Sequence, residues 1–363
     1  MSTNKTDYFS LAVKTRRQDL FDREKELLEL EESLSDPLTI VLGIRRLGKS
    51  SLVAVALGET KRPSMSVDLR GIGPNPSPVK VLERFESGVN SLKSKKLWDR
   101  LARISGVSLF SFGVQFSKSS KSRPQLQTLL DSIHDYARET GKQFVIAVDE
   151  VQEARGLAEL PAALAHSYDY NKNLHFVLAG SEVGVLHDFI GVDNPDSHLY
   201  GRKMNYVVLP RFPRELSLEF LKKGFEAYKK KIPESELEDA VNKLDGIVGW
   251  LVLYGHEALS SRTTDSPPIQ SIVNQAIKIV ESETSKILVR SKHYRFILKA
   301  LASGPMKWKN IYDFVQLNEG HVSESVFNDS LTQLAKYGIV VKNTSEDTYA
   351  IPDPIMAEFA KKL

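Results

Sequence analysis

A glycine-rich turn near the N-terminus constrains this chain more than any other feature of its sequence. Residues 43–50 read Gly-Ile-Arg-Arg-Leu-Gly-Lys-Ser, between an apolar run at 38–42 and a helical pattern that starts at Ser51. The two glycines allow the backbone to curl so that consecutive N–H groups face an anion, and the positive end of the following helix dipole lies there. This G-x-x-x-x-G-K-S spacing in a strand–helix context predicts a P-loop, or Walker A motif, which holds the phosphates of ATP or ADP.

Each residue of the loop then has an expected part in nucleotide binding. Lys49 is expected to reach the β- and γ-phosphates and to take part in catalysis, and Ser50 is expected to ligate Mg²⁺. The alternative is an ordinary strand-to-helix turn in which Lys49 is solvated. The residues predicted to bind the nucleotide here are Gly43, Arg45, Arg46, Leu47, Gly48, Lys49, Ser50 and Ser51.

A pair of carboxylates follows a later apolar run. Asp149 and Glu150 come directly after Phe-Val-Ile-Ala-Val at 144–148. Ligands of parallel sheets bind at the carboxyl ends of the strands, so this Walker B-like pair is expected close to Lys49 and Ser50. We assign Asp149 to Mg²⁺ and Glu150 to orienting the attacking water. The alternative is that the pair only caps the next helix.

The pattern of apolar runs predicts the fold class. Short runs at 38–42, 64–69, 144–148, 174–179 and 206–209 alternate with helical segments. Such alternation is typical of a parallel sheet with helices on both faces. After Leu209 the strand signals stop, and from Lys292 three helical patterns precede a pair of short strands. The sequence therefore predicts an α/β P-loop domain, an all-α lid and a C-terminal winged helix-turn-helix.

The predicted domain borders follow from these patterns. Residues 1–18 are polar and without periodicity, and are expected to form a flexible tail. The P-loop ATPase domain is expected at 19–212, with an inserted basic strand or hairpin at about 91–123. A helical lid is expected at 213–285 and the winged helix at 286–363.

Composition excludes several classes of protein. The 49 Lys and Arg residues against 46 Asp and Glu leave a net charge of only +3, unlike a nucleic-acid coat protein. The absence of cysteine excludes disulfides, thiolate zinc sites and cysteine nucleophiles. The N-terminus lacks an apolar signal core, and no stretch approaches the roughly 18 apolar residues of a membrane span. A soluble, cytoplasmic protein without a membrane partner is expected.

Two further polar residues lie beside predicted strands. Ser181 follows the fourth run and is a candidate to hydrogen-bond the γ-phosphate or the water, or alternatively to cap the next helix. Arg202 precedes the fifth run and is a candidate catalytic arginine that stabilises phosphate charge. Its alternative is a surface arginine paired with a nearby carboxylate.

Together these motifs resemble those of the archaeal ATPase family, which is close to initiator-type AAA+ ATPases and to STAND ATPases. The resemblance rests on residues 21–24, the loop at 43–50, Asp149-Glu150, Gly180-Ser181-Glu182, residues 199–202 and the box at 246–251, where Val248 replaces the usual proline. It implies that Phe21 and Arg23 lie against the adenine. It also implies that Ser181 is sensor 1, and that Arg202 acts on the nucleotide of a neighbouring subunit in a nucleotide-dependent homo-oligomer.

Two stretches of the sequence are rich in basic residues and are candidate surfaces for a binding partner. Eight basic residues stand between 91 and 123 (Lys93, Lys95, Lys96, Arg100, Arg103, Lys118, Lys121, Arg123), and seven between 286 and 309. Either stretch is a candidate DNA-backbone surface or a solvated face. The winged helix carries carboxylates at Glu324, Glu346 and Asp347, and their negative charge disfavours recognition of bases in a DNA groove. The winged helix is also a candidate surface for a protein partner. We expect a Mg-dependent ATPase that acts as a conformational or assembly switch. The alternatives are a DNA-loading or DNA-remodelling ATPase and a nucleotide-dependent scaffold that binds ATP but hardly hydrolyses it.

Overall fold

The computed structural model describes residues 6–73, 76–92, 94–104, 107–110, 113–117, 125–191, 194–260 and 268–363. They fall into two compact units. The sheet unit comprises residues 13–43 and 49–209. The helical unit comprises residues 44–48, 210–363 and the described part of 1–12. The apex of the predicted P-loop, residues 44–48, therefore belongs to the helical unit.

The sheet unit is built on a parallel sheet. Its strands are β1 (Leu38–Leu42), β2 (Ser64–Asp68), β3 (Val107–Phe110), β4 (Gly113–Phe116), β5 (Phe144–Asp149), β6 (Leu174–Gly180) and β7 (Asn205–Val208). Five of them form one sheet in the order β2-β5-β6-β1-β7, and every pair in it is parallel. Strands β1, β5 and β6 are buried at every position, as expected for strands covered on both faces. The predicted runs match the strands to within one residue, and the predicted α/β fold is confirmed.

Helices cover this sheet through apolar stripes. They are α1 (Glu24–Ser33), α2 (Lys49–Glu59), α3 (Pro78–Ser91), α4 (Lys95–Leu101), α5 (Leu126–Glu139), α6 (Glu159–Tyr170) and α7 (Val183–Ile190). In α5 the buried residues Leu126, Leu129, Leu130 and Ile133 recur at helical spacing. The same spacing places Leu27 and Leu30 of α1 in the core.

The insert between β2 and β5 contains a hairpin. Strands β3 and β4 pair antiparallel, and the side chains of Val114 and Phe116 are buried in the core. The side chain of Asn90 on α3 donates a hydrogen bond to the carbonyl of Val114 and accepts one from its amide. Of the predicted basic residues, Arg100 pairs with Asp135 and Glu139. Lys93, Lys118, Lys121 and Arg123, and Phe112 of the predicted strand, lie outside the described residues.

The helical unit includes the residues of the predicted lid and winged helix. Its elements are α8 (Arg214–Ala227), α9 (Glu234–Leu244), α10 (Val248–Ser260), α11 (Ile269–Leu288), α12 (His293–Leu301), β8 (Met306–Lys307), α13 (Trp308–Glu319), α14 (Glu324–Lys336), β9 (Val341–Asn343), β10 (Thr348–Ala350) and α15 (Pro354–Ala360). Strands β8, β10 and β9 form an antiparallel sheet beside α12, α13 and α14, so the winged helix-turn-helix is present. The border expected at 285/286 falls inside α11. No helix among the described residues is both long enough and apolar enough to cross a membrane.

The N-terminal segment differs from its expected form. Phe9, within the predicted tail 1–18, is only 1% exposed and packs against Phe220 and Phe225. Gly224 and Gly255 make room for it, because a Cβ atom at either position would overlap the Phe9 ring. The prediction of a flexible tail is therefore wrong for the segment around Phe9. A single buried aromatic side chain leaves no periodic pattern in the sequence, and the space that it fills is left by two glycines far away in the chain.

We expect Phe9→Ala to lower the free energy of unfolding by roughly 3–5 kcal/mol, because it empties a fully enclosed aromatic site. Denaturant unfolding followed by tryptophan fluorescence measures this. The control is Leu11→Ala, since Leu11 is 59% exposed and its removal is expected to cost less than about 0.5 kcal/mol. Equal effects of the two substitutions would show that the segment is not anchored by Phe9.

Candidate functional site

The carboxyl edge of the sheet brings the predicted polar residues together. In the register of the strands, Leu42 lies opposite Gly180, and Asp149 lies opposite Ala179 on one side and Asp68 on the other. Gly43, Glu150 and Ser181 each follow directly after one of these strand ends. Parallel strands therefore place the start of the loop and both carboxylates at one edge, as the sequence predicts.

Asp149 is joined to the first turn of α2. The hydroxyl of Ser50 donates a hydrogen bond of 2.6 Å to Oδ2 of Asp149. Burial raises the pKa of Asp149, while the Ser50 hydrogen bond and the Arg70 guanidinium, 3.9 Å away, act in the opposite direction. A hydroxyl and a carboxylate oxygen are hard donors of the kind that Mg²⁺ prefers, so this pair fits the ion. The described residues contain no cluster of three or more His, Cys, Asp or Glu side chains that could hold a metal, so phosphate oxygens and water would have to complete the shell.

The loop itself has the backbone that an anion-binding turn requires. Gly43, Arg46 and Gly48 have φ angles of 152°, 68° and 94°. The side chain of Lys49 is buried and its Nζ donates a hydrogen bond of 2.7 Å to the carbonyl of Gly43. The hydroxyl of Ser51 accepts a hydrogen bond from the amide of Lys14. Positive φ values at two glycines and one arginine curl the chain back toward the start of α2.

Glu150 is held in an unusual conformation. Its φ of 50° lies in the left-handed region, which costs a non-glycine residue on the order of 1 kcal/mol. Its Oε2 atom accepts hydrogen bonds from the hydroxyl of Ser181, at 2.9 Å, and from the side-chain amide of Gln152. The Ser181 hydroxyl therefore binds Glu150, and the N-cap residue of α7 is Glu182. The carboxylate is fixed from two sides.

Gln152 is a site residue that sequence reasoning missed. Its side chain is fully buried, its Nε2 donates to Glu150, and its Oε1 has no hydrogen-bond partner among the described residues. A Cβ atom at Gly180 would overlap that Oε1, so glycine at this position leaves space for the amide. A polar residue two positions after the carboxylate pair, between Val151 and Ala154, is the only sequence signal for it. The hydrogen bond from its Nε2 to Glu150 makes Gln152 a candidate positioning residue of this site.

We expect Gln152→Leu to lower kcat about tenfold with little change in KM, because Glu150 loses one of its two side-chain donors. The stability is expected to change by less than about 1 kcal/mol, since the substitution also removes an unsatisfied buried oxygen. Steady-state ATPase kinetics and thermal unfolding measure the two effects, with exposed Gln127→Leu as the control. A large drop in stability with normal kcat would make Gln152 a packing residue.

Other predicted residues are engaged elsewhere. The guanidinium of Arg202 pairs with Asp169, with Nε 3.1 Å from Oδ1, and lies over the ring of Tyr168. This is the surface pairing that the sequence left open as an alternative. Phe21 and Arg23 are both largely buried, and Arg23 pairs with Glu26 at 3.3 Å. Burial lowers the pKa of Arg23, and the charge of Glu26 acts in the opposite direction.

The two arginines of the loop apex also have partners of their own. Arg46 makes a two-pronged ion pair with Glu283 on α11, and Arg45 lies 3.6 Å from the same carboxylate. Leu47 is buried. The side chains of Arg45 and Arg46 therefore point to a protein carboxylate, while their backbone N–H groups remain part of the loop.

The parallel sheet, the curled loop with its lysine and serine, and the carboxylates at the sheet edge define a P-loop ATPase. The family described as an ATPase domain predominantly from Archaea matches residues 20–253, and the chain belongs to that family. Residues 288–351 match the C-terminal winged helix-turn-helix domain of MCM proteins. The protein is thus a nucleotide-binding ATPase of this predominantly archaeal family.

Solved structures agree with this assignment. The Walker-type ATPase PABY2304 of Pyrococcus abyssi is 34% identical, with a TM-score of 0.82 over 97% of this chain and 99% of that one. The ORC2 protein of Aeropyrum pernix, in ADPNP-ADP complexes, is 14% identical with a TM-score of 0.60 over 99% and 97% of the two chains, a likeness of fold. A search of curated protein sequences gave no match.

Proposed function

We propose that this ATPase hydrolyses ATP with Mg²⁺ held by Ser50 and Asp149 and with Glu150 orienting the attacking water. The observation that carries the proposal is the 2.6 Å contact between the Ser50 hydroxyl and the Asp149 carboxylate beside a lysine-bearing loop. When bound, the ion neutralises charge that develops on the phosphate oxygens. Lys49 adds a fixed positive charge, and the loop amides align the phosphates.

The remaining residues support this chemistry. Ser181 and Gln152 fix the carboxylate of Glu150, which then needs no reorganisation to hold a water molecule. Phe21 and Arg23 are our candidates for the adenine side of the nucleotide. We further propose that nucleotide turnover switches the conformation or assembly of the chain. The likeness of its fold to a protein solved in ADPNP-ADP complexes is compatible with such a cycle.

Removing the metal tests the proposal. Hydrolysis by the wild-type protein is expected in MgCl₂ and is expected to stop in EDTA. Asp149→Asn, which removes the charge from the metal's protein ligands, is expected to require a higher Mg²⁺ concentration and to lose at least tenfold in kcat. Asp99→Asn, at an exposed position on α4, is the control. Turnover that is unchanged in EDTA would exclude this metal site.

Arg202 decides whether turnover needs a neighbouring subunit. In a trans arrangement the Arg202–Asp169 pair opens and the arginine completes the site of a second copy, so specific activity rises with protein concentration. Arg202→Ala is expected to abolish that rise while sparing ATP affinity. Arg138→Ala is the control, because Arg138 is an exposed arginine of α5 that also pairs with an aspartate, Asp135. Mixing Arg202→Ala with Glu150→Gln should then restore part of the activity. A dead mixture, with wild-type activity independent of concentration, would leave Arg202 as a surface ion pair.

The second candidate function is a DNA-dependent ATPase. The observation that favours it is the basic stretch from 286 to 309, where Lys286, Arg295 and Lys309 have exposed side chains. Arg290 and Lys292 in the same stretch are bound to Tyr337 and Glu319. If this surface holds the DNA backbone, a variant with glutamine at all three positions should bind DNA with a weaker salt dependence. The slope of log affinity against log salt concentration should fall by about one unit for each phosphate that these side chains neutralise. DNA-independent hydrolysis would instead favour a protein partner of the winged helix.

A further inference from the structure

The apex of the nucleotide-binding loop is clamped by residues of the helical unit. Arg46 donates from Nη1 to the carboxylate of Glu283 at 2.9 Å and from Nη2 to its other oxygen. The guanidinium carbon lies 4.0 Å from the ring centre of Trp250. The amide of Gly249 donates a 2.9 Å hydrogen bond to the carbonyl of Arg46. A side chain at Gly249 would collide with Arg46, so this close approach requires glycine.

The same tryptophan is bound to the last helix of the chain. Its Nε1–H lies 3.1 Å from each carboxylate oxygen of Asp353. Asp353 in turn accepts hydrogen bonds from the amides of Ile355 and Met356 and so caps α15. Burial raises the pKa of Asp353, while the bond from Trp250 and the charge of Arg46 are among the influences that lower it. A series of contacts therefore joins the loop apex to α15: Arg46 lies over Trp250, Trp250 donates to Asp353, and Asp353 accepts from the first amides of α15.

The clamp holds a strained residue. Arg46 has a φ of 68°, a left-handed conformation that is unfavourable for a non-glycine residue. A forked ion pair and a cation–π contact can offset that cost. Residues 44–48 carry the amides that a phosphate would meet, so a clamped apex is an anion site prepared in advance.

We propose that Glu283 and Trp250 are positioning residues that set the loop apex for nucleotide through Arg46, and that Trp250 and Asp353 transmit nucleotide occupancy to α15. The proposal rests on the proposed switch and names its route within the helical unit. Binding that steadies Arg46 steadies Trp250, and the indole N–H then holds the Asp353 cap more firmly. Because coupling is reciprocal, loosening the Asp353 contact weakens nucleotide binding.

The first measurement is the affinity for ADP. Titration calorimetry of the full chain with ADP should show an affinity about fivefold weaker in Glu283→Gln, which keeps the shape of the side chain and removes its charge. Glu281→Gln is the matched control, because Glu281 is exposed on the same helix two residues earlier. Equal affinities of wild type, Glu283→Gln and Glu281→Gln would overturn the positioning role.

The second measurement is hydrogen exchange at the amides of Ile355 and Met356. In the wild type, saturating ADP should slow exchange about threefold or more, the scale of a modest coupling between sites. Trp250→Phe keeps a ring over Arg46 but lacks the N–H donor, and it should abolish the ADP-dependent difference. Asp353→Ser, which retains a helix-capping hydroxyl, is a second variant with the same expected result.

These readouts separate the proposal from its alternatives. A purely structural Trp250–Asp353 contact would change exchange equally with and without ADP, and that result would overturn the route. Exchange that ADP slows in wild type and in both variants alike would also overturn it, with the ATPase assignment intact. A wild-type chain that binds no ADP would remove the nucleotide site itself, and the inference with it.

Discussion

Glu150→Gln is expected to bind Mg-ATP with wild-type affinity and to hydrolyse it at least a hundredfold more slowly, the scale of a missing general base. Glutamine keeps the size of the side chain and can still accept a hydrogen bond from Ser181, but it cannot take a proton from water. The backbone amide of Glu150 donates to Asp149, and the substitution keeps that bond, so metal binding should survive. Steady-state kinetics and ATP titration measure the two properties.

Glu153→Gln provides the matched control. It removes the charge of a nearby carboxylate in the short helix at 151–154, and it leaves in place Glu150, which accepts the hydrogen bond from Ser181. Its kcat should equal that of the wild type. Normal hydrolysis in Glu150→Gln would move the water-activating role to another residue and leave the strained backbone at Glu150 without a catalytic explanation.

Lys49→Ala should weaken ATP binding at least tenfold, which corresponds to about 1.4 kcal/mol. Lys49 is the charged side chain at the start of α2, and its Nζ is held against the carbonyl of Gly43, within the loop that curls around the predicted phosphates. Alanine is a good helix former, so α2 itself should persist. Titration with ATP and circular dichroism measure affinity and fold.

The control for this substitution is Lys61→Ala, an exposed lysine in the turn after α2. It should bind ATP like the wild type. A folded Lys49→Ala protein with undiminished affinity would contradict the P-loop assignment, because the loop sequence at 43–50 contains no other lysine.

The parallel sheet and the grouping of the motif residues at its carboxyl edge could be predicted from the sequence, because both depend on local patterns. Five apolar runs each bounded by turn residues specify buried parallel strands, and parallel strands bring Gly43, Asp149 and Ser181 to one edge whatever the details of packing. The winged helix followed in the same way from three amphipathic helices and a strand pair. Local periodicity was sufficient for both.

Other features depend on partners far away in the sequence. Phe9 is buried only because Gly224 and Gly255 leave space for its ring. The side chain of Arg46 pairs with Glu283, 237 residues further along the chain. Such contacts leave no periodic signal, since one residue at each end suffices.

Gln152 illustrates a third limit. Its neighbours in the sequence suggest a helix or turn after the carboxylates, but nothing local shows that its amide turns back to Glu150. Likewise the pairing of Arg202 with Asp169 is one of two roles that the sequence leaves open. The direction of a side chain is set by tertiary packing, which a motif does not specify.

The nucleotide that remains on the protein after incubation tests the central claim most directly. Wild type and Glu150→Gln are incubated with Mg-ATP, separated from free nucleotide by gel filtration, and denatured for chromatographic analysis of the bound species. If Ser50, Asp149 and Glu150 form one hydrolytic site, the wild type will carry ADP and Glu150→Gln will carry ATP. ADP in both proteins, in equal amounts, would contradict a hydrolytic role for Glu150.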